Sequence, residues 1–270
     1  MKRRWRIIAL LVLLSAVTLC FFAGDANRPF SFLTDGAQRF HSHDRFERST
    51  RVLFIGNSLT YVNDVPGMVR ALSHGDGSGC AIDVYSVTVP GISLEEHWKA
   101  GDAAAAIQSR RAPFVVLQEQ SQAACFTPES FDWNAHRFAD LVRDSGGTPI
   151  LYEGWPRGAK DRMYRENGPA GKTPAAMFEC LTGSFNTVAN NARLRPAHVG
   201  AAWMDASRER ADISLWDPDA THATASGAYL AACVIYQAIS GESPVRLTWH
   251  PSSVSAEDAA WLRSVAERHK

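Results

Sequence analysis

A chain of 270 residues, with 46% hydrophobic and 21% charged residues, has an ordinary globular balance and is long enough for one large domain or two small ones. Lysine and arginine together number 28, as do aspartate and glutamate, so the chain is formally neutral. This balance excludes the strongly basic surface that nucleic-acid-binding proteins use, and we expect no nucleic-acid partner.

The N-terminus has the organisation of an export signal. Basic residues precede an apolar run over residues 7–23, and small residues follow at Ala23, Gly24 and Ala26. This pattern predicts a signal peptide over residues 1–26, with cleavage near Ala26 and a periplasmic or secreted product. The alternative is an uncleaved anchor that attaches the chain to the membrane and leaves the domain outside the cytoplasm. The run is slightly short for a membrane span, which needs ~20 apolar residues.

The chain changes character at residue 51. Residues 27–50 are polar and lack periodicity, which predicts a linker or arm. Over residues 51–270, short apolar runs alternate with segments of helical spacing. Strands are predicted over residues 51–55, 81–87, 113–119, 146–154 and 198–206. Helices are predicted near residues 64–75, 94–109, 129–144, 175–193 and 225–240.

This alternation predicts an α/β fold of three layers, an α/β/α sandwich of flavodoxin-like type. About five parallel strands would form the sheet, with helices on both faces. Ligands of such sheets bind beyond the carboxyl ends of the strands. In "RVLFIGNSLTYVNDVPGM" the first strand turns directly into a helix, and Ser58 lies in that turn. Its hydroxyl is therefore either a helix cap or a nucleophile.

Four cysteines follow the predicted export signal, at Cys80, Cys125, Cys180 and Cys233. In an oxidising compartment they could form two disulfides, with three possible pairings. Cys233 lies in the apolar helix "GAYLAACVIYQAI", which favours a buried thiol at that position.

A serine becomes a good nucleophile when a histidine takes its proton and an acid orients the histidine. Among nine histidines, His222 is distinguished by Asp219 three residues before it, in "DATHATASGAYLAA". A carboxylate at this spacing can reach Nδ1 of the ring while Nε2 points to a partner. The alternative is that Asp219 caps a helix and His222 is a surface residue.

Three segments resemble conserved blocks of the SGNH (GDSL-type) hydrolases. They are "FIGNSLT" for the first block, "SVTVPGISLEE" for the second and "DATHATASGAYLAA" for the last. The resemblance covers residues 51–241 in the order of the family. It implies that Ser58 is the nucleophile, His222 the general base and Asp219 the residue that orients it. The backbone N–H groups of Ser58 and Gly91 become oxyanion donors, and neither a metal nor an organic cofactor is required.

The chain departs from the family pattern at two places and so resembles a divergent branch. Asn57 stands where many members have aspartate. The third block, Gly-x-Asn-Asp, is replaced by "LQEQSQ", which places Gln122 at the asparagine that donates to the oxyanion. A glutamine offers the same amide donor on a longer arm. Gln120 and Gln118 are nearby alternatives, although Gln118 more simply bonds backbone at the end of the sheet.

The resemblance implies a serine esterase that hydrolyses carboxylic esters through an acyl-serine intermediate. The loop over residues 152–174 holds Trp155, Tyr164, three arginines and two lysines near the carboxyl edge of the sheet. Such groups suit an O-acetylated envelope or extracellular glycan, unless Trp155 simply packs on the sheet. Trp133 is expected in the core. The alternative function is a catalytically silent glycan-binding or envelope-scaffold domain in which the serine serves as a cap.

Overall fold

The computed structural model describes residues 49–75 and 78–270. The predicted signal peptide and all of the predicted linker except its last two residues lie outside the described residues. The strands are β1 (Thr50–Gly56), β2 (Ile82–Thr88), β3 (Phe114–Gln118), β4 (Thr148–Tyr152) and β5 (Arg195–Ala197). They pair in parallel in the order β2-β1-β3-β4-β5, which is the flavodoxin-like order. The predicted fold class is confirmed.

The helices of the described ranges lie in the connections between these strands and, for the last three, after β5. They are α1 (Ser58–Tyr61), α2 (Val65–His74), α3 (Leu94–Ala100), α4 (Asp102–Arg110), α5 (Ala123–Phe126), α6 (Pro128–Asp144), α7 (Pro174–Asn191), α8 (Val199–Glu209), α9 (Ala225–Ser240) and α10 (Ala256–Glu267). In these two ranges, no helix is both long enough and apolar enough to cross a membrane.

The sheet is buried on both faces, which explains why its central strands are continuous apolar runs. Successive side chains of a strand point to opposite faces. In β1, Val52 and Phe54 pack with helices α2, α8, α9 and α10, whereas Leu53 and Ile55 pack with helices α3, α4, α6 and α7. The result is the expected α/β/α sandwich, whose carboxyl edge collects the loops after β1, β3 and β4.

The strand predicted over residues 198–206 is wrong, because this segment forms helix α8. Its buried residues recur at helical spacing: Val199, Ala202, Trp203 and Ala206. The buried Glu153 carboxylate accepts the N–H of Ala201 at 3.0 Å and so satisfies a free donor in the first turn. The fifth strand is the shorter β5, which pairs with the end of β4.

The structure differs from the prediction at two further helices and at one side chain. The segment predicted as one helix near 94–109 is divided into α3 and α4 at Gly101, which has a φ of +84°. Helix α10 was not predicted at all. Trp133 was expected in the core, but 64% of it is exposed on α6.

One of the possible disulfides is present and joins Cys125 on α5 to Cys180 on α7, with 5.7 Å between the Cα atoms. Cys80 is half-buried and Cys233 is fully buried, both as free thiols. The expected burial of the Cys233 thiol is confirmed, and burial raises its pKa to about 12.

Candidate active site

Ser58 is the first residue of α1 and follows β1 directly, at the carboxyl edge of the sheet. The residue that caps this helix is Asn57, whose side-chain oxygen accepts the N–H of Leu59 at 3.1 Å. The hydroxyl of Ser58 makes no hydrogen bond to any residue that the structure describes. Since Asn57 performs the capping, the Ser58 hydroxyl is free for chemistry.

The turn that carries Ser58 is fastened to the end of β3 by Gln118. The Gln118 Oε1 atom accepts the N–H of Asn57 at 2.9 Å and the hydroxyl of Thr60 at 2.9 Å. All three residues are buried. A Cβ atom at Gly56 would lie 2.6 Å from Gln118 Oε1, so this close approach requires glycine. The interpretation that Gln118 bonds backbone at the sheet end is confirmed.

Asn57 also connects this turn to the loop that carries Gly91. Its amide nitrogen donates to the carbonyl of Ile92 at 2.9 Å, which an aspartate side chain in its ionised form could not do. Gly91 has a φ of +67°. The N–H groups of Gly91 and Ser58 donate no hydrogen bond within the described part of the chain. Both N–H groups are thus without a protein partner in the described part of the chain, and their role as oxyanion donors stays a prediction.

Asp219 and His222 lie on a tight hairpin closed by an antiparallel bridge between Trp216 and Ala223. The Asp219 Oδ2 atom is 2.6 Å from Nδ1 of His222. Its Oδ1 atom accepts the N–H groups of Thr221 at 2.8 Å and of His222 at 2.9 Å. Burial alone would raise the pKa of Asp219, but the hydrogen bonds from His222 and Thr221 outweigh it and lower the pKa to about 2. The carboxylate is therefore ionised at neutral pH and holds His222 with Nδ1 protonated.

Helix α9 begins after this hairpin and has its own cap. The Thr224 hydroxyl oxygen accepts the N–H of Gly227 at 3.2 Å, so capping does not account for Asp219. A Cβ atom at Gly227 would collide with the Trp203 ring and the Leu215 carbonyl. Glycine at this position lets the hairpin and α9 pack directly against α8.

Several hydrogen bonds bring the hairpin to the loops after β1 and β4. Asn63, five residues after Ser58, donates to the carbonyl of Ala223 at 2.8 Å, next to His222. Trp155 Nε1 donates to the carbonyl of Thr221 at 3.0 Å. No hydrogen bond joins Ser58 Oγ to His222 in the described ranges, so their catalytic pairing stays a prediction.

Trp155 is buried and stacks on Trp203, with 4.1 Å between the ring centroids. Tyr164 is also buried and donates its hydroxyl to the carbonyl of Arg157 at 2.7 Å. The alternative that Trp155 is a packing residue is therefore confirmed, with Trp203 of α8 and Tyr152 of β4 as its ring neighbours. Neither ring is placed to contact a sugar from solvent.

Arg157 was not singled out from the sequence, although it connects three loops at the carboxyl edge. Its guanidinium donates to the hydroxyl of Thr221 and, at 2.8 Å, to that of Ser121. It also forms an ion pair with Asp161 at 3.6 Å. One side chain thereby connects the loop after β3, the loop after β4 and the hairpin.

The two candidate oxyanion glutamines occupy different environments. The side-chain oxygen of Gln120 accepts the N–H groups of Gln122 at 2.7 Å and Ala123 at 3.1 Å, which shapes the turn before α5. The amide nitrogen of Gln122 lies 3.8 Å from Sδ of Met163. A role for either amide as an oxyanion donor stays a prediction.

Glu119 and His97 are buried titratable groups that the sequence analysis did not assign to the site. Glu119 accepts the N–H groups of Leu94 at 3.1 Å and Gln120 at 2.6 Å, and burial raises its pKa to about 7. His97 Nε2 lies 2.8 Å from the carbonyl of Gly56, and burial lowers the His97 pKa. Glu119 lies in "LQEQSQ" and connects that segment to Leu94, just after the Gly91 loop. The sequence feature that could have identified Glu119 is an acidic residue at the end of an apolar strand.

The protein is thus an α/β/α sandwich in which Ser58 follows β1 and the hairpin with Asp219 and His222 contacts the loops after β1 and β4. No family model and no curated protein matches the sequence.

Solved structures do match. A protein from Slackia heliotrinireducens assigned to the SGNH hydrolases is 24% identical, with a TM-score of 0.60 over 71% of this chain and 100% of that one. A DUF4886 family protein from Bacteroides uniformis is 15% identical, with a TM-score of 0.70 over 82% and 94%. An acetylxylan esterase from Geobacillus stearothermophilus is 15% identical, with a TM-score of 0.52 over 72% and 95%. The chain therefore has the fold of the SGNH hydrolases.

Proposed function

We propose that this chain is an SGNH-type serine esterase that hydrolyses carboxylic esters through an acyl-Ser58 intermediate. The observation that carries the proposal is the 2.6 Å hydrogen bond between Asp219 and His222 on the hairpin beside the Ser58 turn. The unpartnered hydroxyl of Ser58 supports it, because Asn57 performs the capping that a catalytically silent domain would assign to the serine.

The proposed reaction uses Ser58 and His222 twice. The Nε2 atom of His222 takes the hydroxyl proton as Ser58 Oγ attacks the ester carbonyl carbon. The N–H groups of Ser58 and Gly91 bind the oxyanion that forms. The alcohol leaves with the proton from His222, and a water molecule activated by the same ring then hydrolyses the acyl-serine. Asp219 holds the ring and stabilises its protonated form.

A third oxyanion donor is assigned to the amide of Gln122. In this proposal the side chain leaves Met163 and turns to the developing charge, while Gln120 keeps shaping the turn. Losing one such donor typically costs ~2.7–4 kcal/mol of transition-state stabilisation.

The proposed substrate is an O-acetylated glycan outside the cytoplasm. Structures of similar fold include proteins named as acetylxylan esterases. The export signal predicted over residues 1–26 and the Cys125–Cys180 disulfide both fit an oxidising, extracytoplasmic compartment.

Hydrolysis of p-nitrophenyl acetate tests the reaction. Ser58→Ala and His222→Ala should each lower kcat at least about 10⁴-fold, and the double variant should be no worse than either, because the residues act as a unit. Ser109→Ala and His136→Ala, which lie on α4 and α6, are the matched controls. Retention of activity in folded Ser58→Ala would show that the serine is not the nucleophile.

A further inference from the structure

A cavity at the carboxyl edge adjoins the proposed catalytic hairpin. It has a volume of about 710 Å³ and lies between the loop after β4 and the tip of the hairpin, where Asp219 and Thr221 form one wall. Gln122 and Phe126, from the segment after β3, form another wall. A volume of about 300–1,000 Å³ is typical of sites for small organic ligands.

The order of the strands connects this cavity to Ser58. Strand β3 lies between β1, which ends at the Ser58 turn, and β4, whose loop forms most of the cavity. Gln122, at the end of the β3 segment, is both a wall of the cavity and the proposed oxyanion donor. A molecule with its ester at Ser58 would reach this cavity by extending past the end of β3, where Gln122 lies.

Four polar side chains that line the cavity are exposed and have no protein partner among the described residues. Lys160, Arg162, Glu166 and Asn167 line it, and none of these side chains makes a hydrogen bond or ion pair within the described residues. They offer two cationic donors, one carboxylate acceptor and one amide that both donates and accepts hydrogen bonds. A ligand rich in hydroxyl groups would satisfy them, whereas a long acyl chain would leave them buried without partners.

An aromatic ring completes the lining. Phe126 is 47% exposed, although it is a large apolar side chain, and it forms one side of the cavity. Gly168 packs against the edge of this ring, where an added Cβ atom would lie 3.2 Å from Cζ. The glycine keeps the opposite loop close to the ring without covering it, so the ring can pack against the C–H face of a sugar.

We propose that this cavity is a carbohydrate subsite that binds the sugar carrying the ester, with Phe126 as its platform and Lys160 and Arg162 as its donors. The inference deepens the proposed function, because it assigns the alcohol side of the ester to a defined part of the structure. It replaces Trp155 and Tyr164, which are buried, as the residues that recognise a sugar.

Calorimetric titration of xylohexaose and of chitohexaose into the full chain with Ser58→Ala tests the subsite without turnover. At least one oligosaccharide should bind with a Kd below about 1 mM. Adding Phe126→Ala should raise that Kd about tenfold, as for loss of a central aromatic contact. Adding Trp133→Ala, an exposed aromatic on α6 outside the cavity, should leave the Kd unchanged.

Arg162→Gln keeps the experiment decisive if Phe126→Ala does not fold, and it should weaken binding by a similar factor. Absence of binding by both oligosaccharides, or equal Kd values in the Phe126, Arg162 and Trp133 variants, would overturn the subsite. Labelling of wild-type Ser58 by a fluorophosphonate reports on the proposed function separately. Labelling of Ser58 without oligosaccharide binding would contradict the subsite but not the esterase. Oligosaccharide binding without labelling would contradict the esterase but not the subsite.

Discussion

Replacement of Gln118 by leucine should damage both stability and catalysis, because Gln118 holds the turn that presents Ser58. The Gln118 oxygen accepts the N–H of Asn57 and the hydroxyl of Thr60, each at 2.9 Å. Leucine has a similar volume but no acceptor, so both buried donors lose their partner. Two other side chains contact this turn: the Tyr152 hydroxyl donates to the Leu59 carbonyl at 3.3 Å, and His97 Nε2 lies 2.8 Å from the Gly56 carbonyl.

The expected loss of stability follows from the number of buried donors that lose their acceptor. A buried donor left without a partner costs about 1–3 kcal/mol, and the Thr60 hydroxyl can rotate to a backbone carbonyl whereas the Asn57 N–H cannot. We therefore expect Gln118→Leu to lower the free energy of unfolding by about 2–4 kcal/mol. The Asn57 N–H precedes the oxyanion donor of Ser58, and a displacement of about 1 Å there should lower kcat about 10²-fold.

Urea denaturation and hydrolysis of p-nitrophenyl acetate measure the two effects. Thr60→Val, which removes one donor and keeps the bond between Gln118 and Asn57, is the matched control and should change kcat much less. In the double variant Gln118→Leu/Thr60→Val, the loss of unfolding free energy should be about 1 kcal/mol smaller than the sum of the two single losses. The reason is that the hydrogen bond between Gln118 and Thr60 is removed only once. An unchanged kcat in folded Gln118→Leu would refute the view that this residue positions the Ser58 turn.

Three further predictions concern the surroundings of the site. Reduction of the Cys125–Cys180 disulfide, which spans 55 residues, should lower the unfolding free energy by about 4 kcal/mol in the chain-entropy account, as read by denaturation with and without reductant. Glu119 has a pKa raised from 4.5 to about 7, so the folded protein holds its proton more tightly and stability should fall as pH rises from about 4.5 to 7. Thermal melts of Glu119→Gln should lack that fall, giving up to ~3 kcal/mol more stability than wild type above pH 7 and no such gain at about pH 4.5. Gln122→Ala should lower kcat about 10²-fold with little change in ground-state binding, whereas a loss confined to Gln120→Ala would shift the oxyanion assignment by two residues.

The central strands were predictable because both faces of the sheet are covered, which forces continuous apolar runs. The fifth strand was not predictable, because β5 has only three residues and helix α8 begins two residues after it. The spacing of Val199, Ala202, Trp203 and Ala206 did carry the helical period. The run over residues 198–206 is short and mostly apolar, which hid this period, and Glu153, which accepts the N–H of Ala201, lies far away in sequence.

The Asp219–His222 pair was predictable because its geometry is local and spans one turn of chain. The supports of the site are not local. Gln118 contacts Asn57 across 61 residues, and Trp155 contacts Thr221 across 66. Such contacts depend on strand order and on how far each loop rises above the sheet, which a sequence pattern does not determine. For the same reason Phe126, rather than Trp155, is the aromatic residue that the cavity exposes.

The proposed esterase depends on activation of the Ser58 hydroxyl by His222 and Asp219. Incubation of the folded protein with a fluorophosphonate, followed by mass spectrometry of its peptides, tests this claim most directly. We expect one adduct per chain, located on Ser58, with labelling at least about 10³-fold slower in His222→Ala. An unlabelled Ser58 in folded protein, or equal labelling rates in wild type and His222→Ala, would contradict it.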